Sequence, residues 1–161
     1  MPPDPEIFAL AQQVGERLIK LRKSLAVAES CTGGLLGAAL TDVSGSSAYF
    51  LGGVISYADR VKVEQLHVSP STLQQFGAVS EETAAAMATG VRQLLQADIG
   101  VSITGVAGPD AEGAKPVGLT FIGVAAPAST THRFQWTGDR WDNRRRSVIA
   151  ALELLVQTLG S

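Results

Sequence analysis

Residues 28–37 read AESCTGGLLG. The apolar run Leu25-Ala26-Val27 delivers Glu29, Ser30, Cys31 and Thr32, and the pair Gly33-Gly34 follows before a helical pattern begins. Strand, small polar turn and helix in that order read as the first unit of an α/β domain. On its own the turn has three readings: plain capping, a phosphate cradle, or a nucleophile aimed out of a bend.

Outward from this unit, helices and strands alternate. Apolar groups at Phe8, Ala11, Val14, Leu18 and Leu21 give a helical stripe over 6–23, ahead of the strand at 24–30. A helix over 32–41 ends at Ser44-Gly45-Ser46-Ser47, and FLGGVISY (50–57) reads as a second strand followed by a short helix over 58–67. Ser69-Pro70 looks like a cap with proline at the first helical position, and Gly77 ends that helix. Ser80 caps an alanine-rich helix over 81–97, with Glu81 and Glu82 in its first turn. IGVSITG (99–105) is a third strand, VAGPDAEGAKP is a loop, and 117–126 with 130–138 reads as an antiparallel hairpin before a last helix over 141–159. This order predicts a three-layer α/β/α sandwich on a mixed, mostly parallel five-stranded sheet, with residues 1–161 as a single domain.

Composition narrows the class of function. The chain has 161 residues, 45% hydrophobic and 17% charged, so a real core is expected. A net charge of −2 offers no basic field for nucleic acid, so no direct nucleic-acid partner is expected. No apolar run approaches the ~20 residues that span a membrane, and MPPDPEIF lacks a signal pattern. The single cysteine, Cys31, fits a reducing compartment. The expectation is a cytoplasmic domain with no membrane partner.

Three polar stretches leave the C-terminal ends of predicted strands: Ser30 to Gly34, Tyr57 with the helix behind it, and Thr104-Gly105 with the following loop. Ligands of α/β sheets collect at those ends, so together the stretches point to one site. There is no GxxxxGK[ST], and glycines 33, 34 and 37 do not make GxGxxG. What remains is a bare helix N-terminus at Thr32, Gly33 and Gly34, suited to a phosphate or an oxyanion. His67 and His132 stand far apart and Cys31 has no CxxC partner, so neither a metal nor a Ser-His-Asp triad is expected. A cysteine hydrolase is disfavoured because Cys31 has no nearby histidine and falls beside the strand end.

If Ser30 is a nucleophile, its base is then something other than histidine. On a wheel starting at Ala58, Lys62 falls at about 40° and Leu66 at about 80°. Arg60, Glu64 and His67 lie opposite. Lys62 thus sits within the apolar face, either as a snorkelling side chain or as a buried base, and the wheel leaves both open. Arg144, Arg145 and Arg146 lie about 100° apart in turn, so the three cannot all face one pocket.

At this point AESCTGG, GSSAYFLGGVISYADRVKVEQLHV, GAVSEETAAAMATG, ITGVAGPD with KPVG, and TGDR with RRR together resemble the C-terminal domain of the CinA family, the competence/damage-inducible domain. The likeness runs from about Leu10 to the end. It implies a serine–lysine amidohydrolase without cofactor, whose stand-alone members deamidate nicotinamide mononucleotide. The pyrophosphatase-type domain of longer members has no counterpart in these residues, which implies the stand-alone form. By the same resemblance Ser30, Lys62 and Tyr57 are the catalytic residues, with Ser30 the nucleophile, Lys62 the base and Tyr57 expected to orient the amine or relay a proton. Thr104 with Gly105, and Arg144 after GDR, then hold polar parts of the nucleotide, while Thr32, Gly33 and Gly34 lie against it. The loop AEGAKPVG departs from the family in lacking its paired glycines, and Asn143 stands where an apolar residue is expected. Family members assemble as homodimers or larger, and the turn Gly77-Ala78-Val79 is the expected contact. A non-catalytic nucleotide-binding module linked to competence or DNA damage is the rival reading.

Overall fold

β1 (Leu25–Glu29) is the element around which the molecule is built, and every one of its five residues is buried. In the computed structural model, which describes residues 2–160, the sheet order is β2-β1-β3-β4-β5. β1 runs parallel to β2 (Phe50–Ile55) on one side and to β3 (Ile99–Gly105) on the other. β4 (Leu119–Ala125) returns antiparallel to β3, and β5 (Ser129–Gln135) is antiparallel to β4. Four of the five strands therefore point one way, although only two of the four pairings are parallel. β1 and β3 have no solvent-exposed face, as expected for parallel strands covered on both sides.

The helices form the outer layers. α1 (Pro5–Leu21), α2 (Leu35–Thr41) and α6 (Arg140–Leu159) cover one face, burying Val14, Leu18, Leu40, Val148 and Leu152 against Val27, Val101 and Ile122. α3 (Asp59–Leu66), α4 (Pro70–Phe76) and α5 (Glu81–Leu94) cover the other, where Leu66, Met87 and Val91 pack on Ala26 and Ala28. The caps are local chemistry. Asp4 accepts the N–H groups of Glu6 and Ile7 ahead of Pro5, Ser69 stands before Pro70, and Ser80 accepts from Thr83.

Two boundaries differ from the sequence reading in ways that shape the site. α2 starts at Leu35 rather than at residue 32, because Gly33 (φ 57°) and Gly34 (φ 104°) adopt left-handed backbone. A Cβ on Gly34 would also meet the Ile55 side chain at 3.2 Å. The bend at 30–34 is thus a turn that hands the chain from β1 to α2. β2 likewise ends at Ile55, leaving Ser56 and Tyr57 outside the ladder and above the end of β1.

Candidate active site

α3 begins two residues after Tyr57, capped at Ala58 with no side-chain cap, and ends at His67 in left-handed backbone. Its buried residues are Lys62 and Leu66, the pair that the wheel placed on the apolar face. Lys62 is 1% exposed. Its stem crosses the packed layer and its Nζ stops 3.1 Å from Ser30 Oγ, under the turn that follows β1. The same Nζ donates to the carbonyls of Ser56 (2.7 Å) and Tyr57 (3.2 Å).

The three contacts fit an ammonium donating to all three oxygens, and they fit the neutral amine with the roles divided. An –NH2 group has two donors, which the two carbonyls take, and one lone pair, which is left for the Ser30 hydroxyl proton. Burial drives the pKa of Lys62 below the ordinary 10.5, with Asp59 and Glu112 pulling weakly the other way. Snorkelling is therefore not what this lysine does. Because its folded pKa is lowered, the unfolded chain holds the extra proton between that value and 10.5, and stability rises with pH across the window. Urea melts of wild type and Lys62→Met at several pH values should show the wild type gaining relative stability towards 10.5. A difference constant with pH would mean that the amine is not desolvated.

The helix N-terminus beside Ser30 is not bare, contrary to the sequence reading. Glu29, 1% exposed, turns its carboxylate onto α2, where Oε1 accepts from Leu36 N–H and Oε2 from Gly37 N–H, each at 2.9 Å. A buried carboxylate there satisfies two orphan donors and faces the positive end of the helix. The Gly33 N–H is also engaged, donating to the Ser30 carbonyl at 3.1 Å. Loss of the carboxylate in Glu29→Ala should cost about 2–3 kcal/mol, or roughly 4–12 °C in melting temperature, since the amides stay buried without partners. Calorimetry checks it, and a loss under 1 °C would show that water caps the helix equally well.

Ser30, Tyr57, Lys62, Thr104 and Gly105 open together onto a cavity of about 280 Å³ at the C-terminal ends of β1, β2 and β3. Thr104 Oγ1 donates to the Ala78 carbonyl at 2.8 Å and fixes the turn before α5 as one wall. Residues 7–159 match the CinA C-terminal domain. The chain belongs to this family.

The match has close company. CinA-like proteins of Desulforapulum autotrophicum and Nostoc are each 46% identical to it, over 93% and 94% of the chain. The chain spans between 36% and 39% of the length of such relatives. Among solved structures, the competence/damage inducible protein CihA from Agrobacterium tumefaciens is 36% identical, with coverage of 100% and 99% of the two chains and a TM-score of 0.93. A CinA superfamily protein from Klebsiella pneumoniae is 34% identical, with coverage of 95% and 97% and a TM-score of 0.92.

Within this CinA domain, Thr32, Gly33, Gly34 and Arg144 do not line the cavity. Thr32 is fully buried and its hydroxyl has no partner among the described residues. Arg144 reaches the turn after β1 from outside the cavity, Nε donating to the Cys31 carbonyl (3.0 Å) and Nη2 to that of Thr32 (3.2 Å). Its guanidinium lies 5.9 Å from the Trp141 ring centre. Arg145 is held by Asp4 and Glu6, and Arg146 by Asp142, so the three arginines do face three ways. Burial pushes the Cys31 thiol up to about 11, which removes its thiolate at neutral pH.

Other wall residues had no clear signal in the sequence. Arg140, the arginine on the cavity wall, belongs to the GDR run and donates to the Gly108 carbonyl. Ala78 and Val79 line the cavity too; Val79 is buried within the chain, in the turn expected to meet a second copy. Asp59, Asp110 and Glu112 complete the charged lining. Among the described residues no cluster of three or more His, Cys, Asp or Glu is placed to hold a metal ion. No described helix is long and apolar enough to cross a membrane.

Proposed function

We propose that this domain is a nicotinamide-nucleotide amidase that converts nicotinamide mononucleotide and water to nicotinate mononucleotide and ammonia. The observation that carries the reading is the buried Lys62 amine 3.1 Å from Ser30 Oγ, at the mouth of the cavity. A lysine desolvated against a hydroxyl is the arrangement that activates a serine where no histidine is present.

In the first half-reaction Ser30 Oγ attacks the carboxamide carbon while its proton passes to the Lys62 lone pair. Charge develops on the carboxamide oxygen beside the backbone of Cys31, the residue of the turn that shares the cavity wall with Ser30. As the C–N bond breaks, Lys62 returns the proton to the leaving nitrogen, and ammonia departs. Water then attacks the ester on Ser30, giving its proton to Lys62, and the acid leaves as Ser30 regains a proton. Tyr57, 64% exposed on the cavity rim, covers the ring of the bound substrate, and Thr104 and Gly105 form the opposite wall.

Ammonia release from nicotinamide mononucleotide by purified protein tests the reading, with Ser30→Ala as control. Release well above the control is expected. Equal traces from both proteins would instead support a nucleotide-binding module without chemistry.

A further inference from the structure

The cavity wall carries more acid than an anionic nucleotide alone would call for. Asp59, Asp110 and Glu112 line it, against Arg140 and the buried Lys62. Asp59 Oδ1 lies 3.9 Å from Lys62 Nζ, and Glu112 acts on the same amine from the loop after β3. That loop is not slack at this point, since the backbones of Glu112 and Lys115 pair in both directions at 2.9–3.0 Å. The titratable groups that line the cavity with Lys62 are thus Asp59 on its own helix, Cys31 and Tyr57 at the two strand ends, and Asp110, Glu112 and Arg140 on the walls.

A serine–lysine pair needs Lys62 neutral before it takes the proton. In that resting form the described residues place no cation within salt-bridge distance of Asp59 or Glu112. A scissile carboxamide at Ser30 Oγ puts the ring that bears it beside Nζ, in the field of the same two carboxylates. We infer that Asp59 and Glu112 read positive charge on the substrate's ring, so that the site selects carboxamides carried on a cationic, N-substituted pyridine. This rests on the amidase reading and adds to it the feature of the substrate that these residues recognise. When Lys62 takes up the Ser30 proton, the carboxylates balance two nearby cations, and the outgoing ammonia removes that proton again.

The test compares nicotinamide mononucleotide with its reduced dihydropyridine form, which keeps the ribose, phosphate and carboxamide but has an uncharged ring. Calorimetric binding to Ser30→Ala avoids turnover. The charged form should bind tighter by about tenfold, the effect of one partly shielded charge pair. Asp59 is 65% exposed, so adding Asp59→Asn or Glu112→Gln to Ser30→Ala should cut that preference about threefold each, by weakening the charged form alone. A preference unchanged in both variants, or both ligands weakened equally, overturns the inference. Ammonia release by the unmodified protein separates the two ideas. With ammonia released and the preference unmoved, only the charge reading falls; with none released, the amidase reading falls and takes this one with it.

Discussion

Ser30→Ala, Lys62→Ala and the double variant should all lose amidase turnover to the same extent, on the order of 10⁴-fold or more. The equality follows from the geometry. Lys62 Nζ has its two donors on the Ser56 and Tyr57 carbonyls and its remaining contact on Ser30 Oγ, so either residue alone has nothing to act on. Lys62→Arg should be as inactive as Lys62→Ala, because a guanidinium keeps its protons and offers no lone pair. Wild-type activity should rise with pH through a limb below 10.5, as the amine, lowered by burial, loses its proton. Circular dichroism on each variant separates loss of chemistry from loss of fold. A Lys62→Arg protein that kept most of its turnover would make Lys62 a mere positive charge and send the search for a base to Tyr57.

The second large effect is expected from a residue that does not reach the cavity. Arg144 holds the carbonyls of Cys31 and Thr32 with two arms of one guanidinium. Charge-assisted hydrogen bonds of this kind contribute about 1.5–3 kcal/mol, so Arg144→Ala should lower kcat roughly 10- to 100-fold as the turn relaxes. KM should move much less. Arg144→Lys should rescue little, since a single ammonium cannot present the fork. Arg145→Ala is the internal control, expected to loosen the start of α1 through Asp4 and Glu6 while leaving kcat in place. The opposite pattern, KM raised with kcat kept in Arg144→Ala, would put Arg144 on the substrate phosphate, as the family resemblance first suggests.

What could be read from the chain, and what could not, divides along range of interaction. Periodicity is local, so the strand–helix order and the inward place of Lys62 were legible from α3 alone. The turn at Ser30 was legible as a site because three strand ends share one edge of the sheet. Glu29 was not, since a carboxylate before SCTGG looks like more site chemistry until its two amide partners on α2 are seen. Arg144 and Arg140 differ by one helical turn, too little for sequence to say which meets the turn and which the cavity. Asn143 stands where the family resemblance leads one to expect an apolar residue. It is buried because its amide donates to the Ala107 carbonyl and its oxygen accepts from Gly138 N–H, tying the loop after β3 to the start of α6.

The bracing of the turn by Arg144 also orders events in time. The two partners lie 113 residues apart, so the serine is synthesised long before the group that holds its turn. At 5–20 residues per second the interval is roughly 6–23 s. During it the ribosome carries a nascent segment that holds Ser30 but lacks the helix that braces its turn. The turn therefore takes its final set only once α6 has left the exit tunnel and docked, and a message broken before α6 yields a chain whose Ser30 is never braced.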